Sequence, residues 1–240
     1  MIKAKIIEIF SSIQGEGLWV GRPQVFVRFK GCRLECVYCD TPLTHSKIRN
    51  ARIEYPPFSR QFETRPLEFS VEELNGALAR FAPSSLAITG GEPLEQVDFL
   101  EVWLTQLNRR YEILLETNGV EEEALKRIIH LIDMVSLDIK LPSATGEPPY
   151  WEMHDRFIEA AGPIGHYAKV VFDEKMTDDE IERLTIILQK HAGLVTVFQP
   201  VSPVQKRDLK VCLEIFGLFS EKFPGRVRLI PQTHKLMSLL

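Results

Sequence analysis

Two periods of apolar residues run along this chain, and they change at about residue 70. From Ser70 onward, short apolar runs of strand length alternate with segments in which apolar residues recur every three or four positions. The runs Leu86–Thr89, Glu112–Glu116, Met134–Ile139, Ala168–Phe172, Leu194–Phe198 and Arg226–Ile230 read as strands. Helices fall between them. The first runs from a Ser70/Glu73 capping box to about Phe81, and the second shows Val97, Leu100, Leu104 and Leu107 on one face. Others span Glu121 to about Ile132, Met153 to Ala161, a segment opened by Thr177 and Glu180, and Asp208 to Phe223. Before Ser70, Lys5–Phe10 and Gln24–Phe29 read as strands joined by the glycine-punctuated loop S-S-I-Q-G-E-G-L-W-V-G. The stretch 42–66, rich in proline, arginine and aromatic residues, shows no clear period and predicts an irregular insertion or flap.

Repeated strand-helix units predict an α/β fold with a parallel sheet, closed or partly closed into a barrel. Polar and glycine-rich signals follow strand after strand: the cysteine loop, Thr89–Glu92, Thr117–Gly119, Asp138–Lys140, Gln199 and Gln232–His234. In barrels of this kind the carboxyl ends of the strands gather the chemistry. An open doubly wound sheet is the structural alternative, but no G-x-G-x-x-G follows any strand. Without repeats or a linker, residues 1–240 are expected to form one domain.

Composition narrows the class. The chain of 240 residues is 45% hydrophobic and 26% charged with a net charge of -4, so no overall basic field recruits nucleic acid. Lys5 and Glu8 interrupt the first apolar run, and no stretch reaches membrane-spanning length. A cytoplasmic enzyme with no membrane or nucleic-acid partner is expected. Of four cysteines, three are clustered, which is unlike a disulfide framework and calls for a reducing compartment.

That cluster carries the chemistry. Cys32, Cys36 and Cys39 stand as C-x3-C-x2-C directly after the second strand. Three soft thiolates on one loop select zinc, copper(I) or an iron-sulfur cluster, and three ligands leave one iron of a cubane open. Structural zinc would need a fourth ligand, for which Cys212 lies far downstream and His45 very close. Gly90, Gly91, Glu92 and Pro93, read alone, form a strand-to-helix turn, and Asn118-Gly119 a left-handed turn. Ser136, Asp138 and Lys140 alternate on one strand and so point the same way, toward a ligand or into an ion pair. Gln199 before Pro200 either binds a ligand edge or ends a strand. His130, His191 and Cys212 read as surface or packing residues.

The spacing C-x3-C-x2-C is similar to that of the radical S-adenosylmethionine (SAM) enzymes. With I-Q-G-E-G, R-F-K-G-C, C-D-T, T-G-G-E-P and Q-T-H-K in order along nearly the whole chain, it resembles the 7-carboxy-7-deazaguanine synthase family. The resemblance implies a partial, open TIM-like barrel of the radical SAM type, with the 42–66 insertion and a tail of about 231–240 closing the site. It implies a [4Fe-4S] cluster on Cys32, Cys36 and Cys39, SAM at Gly91, Glu92, Asn118, Ser136, Asp138, Lys140 and Gln199, and Mg2+ at Thr41 with Asp40 near its waters. The implied substrate is 6-carboxy-5,6,7,8-tetrahydropterin, held by Ile13, Gln14, Gly15, Arg28, Thr89 and the terminal Leu240, and converted by ring contraction with loss of ammonia. Arg28, with the Mg2+ held by Thr41, would organise the substrate carboxylate during the rearrangement. A flavodoxin- or ferredoxin-type electron donor and a homodimer belong to the same picture. The segment S-L-D-I-K departs from the family's S-P-K, leaving open which of Ser136, Asp138 and Lys140 meets SAM. An activase that installs a glycyl radical on a partner protein, or a zinc-binding interaction domain, are the alternatives.

Overall fold

The structure, a computed structural model, describes residues 2–107, 111–202 and 206–239. Strand β1 (Ala4–Ile13) runs antiparallel to β2 (Pro23–Phe29). On its other side β1 pairs in parallel with β3 (Asn50–Glu54), which turns back into β4 (Phe62–Pro66). The two-residue strand β5 (Glu68–Phe69) pairs with the start of β1. The stretch 42–66 is therefore not irregular throughout: its second half is a hairpin that widens the sheet. The hairpin carries no apolar period because β4 is a mostly exposed edge strand, in which Glu63, Thr64 and Arg65 stand where a core strand would carry apolar residues.

Strand-helix units then follow in sequence. The helix α1 (Val71–Leu78) opens on the predicted capping box, with Glu73 N–H donating to Ser70 Oγ and Ser70 N–H to Glu73 Oε2. After it come β6 (Ser85–Gly90), α2 (Val97–Gln106), β7 (Glu112–Thr117), α3 (Glu122–Ile128) and β8 (Met134–Ile139). The short α4 (Pro142–Thr145) and α5 (Trp151–Ala161) lead to β9 (Gly165–Phe172), and α6 (Asp178–Lys190) begins on the second capping box, at Thr177 and Glu180. The chain ends with β10 (Val195–Pro200), α7 (Lys206–Lys222), β11 (Val227–Leu229) and α8 (Thr233–Leu236).

The strand order is β11-β10-β9-β8-β7-β6-β2-β1-β3-β4, parallel from β2 through β11. Each strand after β6 lies beside its predecessor, with no reversal of the kind a doubly wound sheet requires. The path has two ends, so the barrel is open.

Alternation along the strands separates two faces. Ile113 and Leu115 join the main hydrophobic cluster with α2, α3 and α5, whereas Leu114 packs inward with Trp19, Tyr167 and Val197. Further along the inward face the apolar floor gives way to charge. Register places Glu116 beside Ser136, Asp138 beside Lys169, and Val171 beside Gln199.

Candidate active site

Above that floor opens a cavity of about 550 Å3. The ends of β1, β2, β6, β7, β8, β9 and β10 supply its walls, through Ile13, Arg28, Thr89, Glu116, Asp138, Lys169 and Gln199 among others. The cysteine loop lies over one side. Cys32, Cys36 and Cys39 are free thiols lining the cavity, and Cys39 N–H donates to Cys36 O at 2.9 Å to close the loop's last turn. Burial pushes the Cys32 thiol up to about 11, with Glu92 and Glu95 adding to it, and burial likewise raises Cys36. Thiols held this way ionise when a metal centre takes their electron pairs, which suits ligands better than free nucleophiles.

The cysteine loop rests on the G-G-E turn. Gly91 N–H donates to Phe29 O and Glu92 N–H to Gly31 O, and a Cβ on Gly91 would stand 1.8 Å from Gly31 O. These glycines let one loop pack directly beneath the other. Glu92 completes the brace. Its side chain, fully buried, takes Leu94 N–H and Thr117 O–H on Oε1 and Asn118 N–H on Oε2. It thereby ties the end of β6 to the end of β7. Burial pushes this carboxyl up to about 7 despite those donors.

Charges line the wall as a connected chain that meets the cysteine loop at Tyr38 and Asp40. Lys140 Nζ lies 2.8 Å from Asp138 Oδ2 and 3.2 Å from the Tyr38 hydroxyl, while Lys169 Nζ lies 3.2 Å from Asp138 Oδ1 and also pairs with Glu16. Gln232 Nε2 then donates to Glu16 Oε1 at 2.6 Å and to Asp40 Oδ2 at 2.9 Å, and Lys235 pairs with Asp40 at 3.3 Å. Burial works to raise the Glu16 and Asp138 carboxyls, yet Lys169, with Lys140 at Asp138, holds both below the usual carboxylate range. Glu116 goes the other way. Burial raises it, even though Gln14 Nε2 donates to it at 2.9 Å.

Arg28 meets Glu8 at 3.2 Å and donates from Nη1 to Thr41 Oγ1 at 3.0 Å. Glu8 is shared with Arg52, so the Arg28, Glu8 and Arg52 group keeps one net positive charge at the cavity wall. Glu16, Asp40 and His234 also bring ligating atoms within 4.8 Å of one another beside Thr41. The tail is anchored here: Thr233 N–H donates to Gly15 O at 2.9 Å, and a Cβ on Gly15 would stand 2.1 Å from His234 Nδ1.

Comparison with known proteins agrees with this geometry. Residues 26–171 match the family model of the Radical SAM superfamily. The 7-carboxy-7-deazaguanine synthase of Geobacter sulfurreducens is 35% identical, over 99% of this chain and 98% of that protein. That of Methanopyrus kandleri is 33% identical, over 98% and 94%. The chain belongs to this family. Among solved structures, QueE from Escherichia coli superposes with a TM-score of 0.61 at 23% identity, over 97% of this chain and 95% of that one, which shows a shared fold.

Membership in the superfamily implies a [4Fe-4S] cluster and SAM. The cavity fits both: three free thiols stand on one loop, and buried Gln199 Oε1 in the wall has no hydrogen-bond partner among the described residues. Cys212, the other cysteine, is buried in the core and does not line the cavity, so it does not complete a zinc site.

Most residues singled out from the sequence meet in this one space: Ile13, Gln14, Gly15, Arg28, Cys32, Cys36, Cys39, Thr41, Thr89, Gly91, Asn118, Asp138, Lys140 and Gln199 all line it. Glu92 and Ser136 do not. Glu92 spends its carboxylate as the brace, and Ser136, 2% exposed, sits one layer lower and bonds Tyr167. Leu240 falls outside the described residues. Asp138 and Lys140 form the ion pair that was the alternative to ligand binding, but both remain in the wall. Glu16, Glu116, Lys169, Gln232 and His234 were not assigned roles from the sequence. Lys169 left a trace there, as the lone charge in the apolar run A-K-V-V-F.

Proposed function

We propose that this chain catalyses the ring contraction of 6-carboxy-5,6,7,8-tetrahydropterin to 7-carboxy-7-deazaguanine with loss of ammonia. The observation that carries it is the convergence of the three-cysteine loop and the I-Q-G-E-G loop on one cavity whose wall bears both Arg28 and buried carboxylates. A pterin offers N–H donors on its ring and a carboxylate at one end, and the cavity has the complementary arrangement.

In this reading Cys32, Cys36 and Cys39 hold the [4Fe-4S] cluster. The Gly91 backbone, with Asn118, Asp138, Lys140 and Gln199, holds SAM. When bound, cluster and SAM together supply the one-electron chemistry that removes a hydrogen atom from the substrate. The chain's own residues orient and shield. Arg28 receives the pterin carboxylate, and Ile13, Gln14, Gly15 and Thr89 fix the ring. Glu116, raised by burial, keeps its proton to higher pH than an exposed glutamate and can present an O–H to the ring. The floor of Trp19, Leu114, Tyr167 and Val197 excludes water from below. The tail, tied to Gly15, Glu16 and Asp40, covers the substrate side.

Thr41 Oγ1 stands 3.4 Å from Asp40 Oδ1, a pair of oxygen donors suited to Mg2+ with its waters. An external flavodoxin- or ferredoxin-type reductant, a homodimer and a reducing cytoplasmic setting complete the proposal. The test is an anaerobic assay of reconstituted protein with reductant, SAM, Mg2+ and the pterin, read by mass spectrometry. Carboxydeazaguanine that disappears in Cys36→Ala and declines in Thr41→Ala is the expected result. SAM cleavage without product would reject the pterin and favour activation of a partner protein.

A further inference from the structure

His154 lies on α5, outside the cavity, and is fully buried. Lys140 N–H donates to its Nε2 at 3.0 Å, and its Nδ1 stands 3.0 Å from the carbonyl oxygen of Gly119. A peptide N–H only donates and a carbonyl only accepts, so the neutral ring carries its proton on Nδ1. Burial holds this imidazole down to about 4, which keeps it neutral at working pH.

We propose that His154 is the positioning residue for the SAM side of the cavity, a single imidazole that sets the gap between the Asn118-Gly119 turn and Lys140. The β7–β8 ladder ends at Thr117 opposite Leu137. Beyond that pair no further rung is formed, and Lys140 N–H and Gly119 O meet the imidazole instead of each other, although Gly119 still lies against the β8 backbone at Asp138. The ring takes the place of the next rung. Gly119, at φ +71°, is held so closely that an added Cβ would lie 3.2 Å from both Nδ1 and the Asp138 carbonyl oxygen. Asn118 is fixed on one side by Glu92, and Lys140 Nζ is aimed by Asp138 and Tyr38. His154 sets the distance between these two fixed halves. It touches neither the cluster loop nor the I-Q-G-E-G loop in any hydrogen bond among the described residues.

This inference rests on the SAM assignment above. The experiment compares His154→Leu and His154→Gln with the parent, each anaerobically reconstituted. Leucine offers no polar group, whereas the glutamine carboxamide offers one donor and one acceptor. Equilibrium SAM binding is measured by calorimetry, alongside KM for SAM and for the pterin, cluster absorbance and thermal midpoint. The expected result is SAM binding weakened about tenfold in the leucine variant, the scale of one displaced hydrogen bond, with pterin KM unchanged and SAM affinity largely restored by glutamine. Equal loss of SAM and pterin affinity, or unchanged SAM affinity in a folded leucine variant, would overturn it. Should the leucine variant not fold, His154→Asn, too short to span both groups, replaces it against glutamine under the same criteria. Failure of the parent to convert the pterin would reject the substrate, while the SAM-binding comparison would still decide the role of His154.

Discussion

Replacing Glu92 by glutamine tests the brace beneath the cysteine loop. The carboxylate accepts Leu94 N–H at 3.1 Å and Thr117 O–H at 2.9 Å on one oxygen, and Asn118 N–H at 2.7 Å on the other. A carboxamide has one acceptor oxygen. Whichever way it turns, its NH2 faces the Leu94 or the Asn118 amide, since only the Thr117 hydroxyl can reverse its role. One buried N–H is left without an acceptor, at a cost of about 1–3 kcal/mol. For a chain of this size each kcal/mol lowers the thermal midpoint by roughly 2–4 °C. The penalty depends on pH. The folded carboxyl titrates at about 7, above its unfolded value of 4.5, so between these values the native state binds more protons than the unfolded one. Stability from this group is complete below the unfolded value and declines as pH rises through the folded one, by up to about 1.4 kcal/mol per pH unit. Near pH 5 the parent carboxyl is protonated, and its hydroxyl oxygen can donate to Thr117 Oγ1 while its remaining lone pair takes Leu94 N–H, which a carboxamide nitrogen cannot do. The glutamine variant lacks the pH slope, so its deficit is largest near pH 5 and shrinks toward pH 8. Urea denaturation of the reconstituted protein across this range measures it. A variant as stable as the parent at pH 5, or a deficit that grows with pH, would refute the reasoning.

Three further substitutions probe the other walls. Gly91→Ala would place a Cβ 1.8 Å from Gly31 O and 2.1 Å from Thr44 Cγ2, so iron per chain and the cluster absorbance near about 400 nm should fall together, with about 1–3 kcal/mol lost in urea denaturation. Lys169→Met removes the cation between Asp138 and Glu16; because Lys140 and Gln232 still serve those carboxylates, the loss should sit near the low end of about 3–5 kcal/mol, and denaturation at neutral pH reads it. Gly15→Ala pushes against the His234 ring, a side chain that can move, so the tail should shift and pterin KM rise roughly tenfold while SAM binding holds.

The order of elements was legible because α1 and α6 carry capping boxes and the strands from β6 onward are short apolar runs between amphipathic helices. A buried parallel strand is apolar along most of its length, and that leaves its mark in the primary structure. The three clustered thiols were equally plain, since their close spacing is written directly in the chain. The β3–β4 hairpin was not, because an exposed edge strand needs no apolar period. Nor were the partners of Glu92, whose motif suggested a cofactor contact while its carboxylate braces two strand ends.

Local spacing thus determined the helices, the inner strands and the three cysteines, each of which answers to chemistry within a few residues. Folding alone decided which distant side chains share the cavity. Lys169 meets Glu16 and Asp138, Gln232 spans Glu16 and Asp40, and His154 joins Gly119 to Lys140. Such pairings depend on strand register and on loops that cross the barrel mouth, and the energy that selects them is the cost of leaving a buried charge or amide without a partner. That cost is set by what surrounds a group in space, and neighbours along the chain do not reveal it.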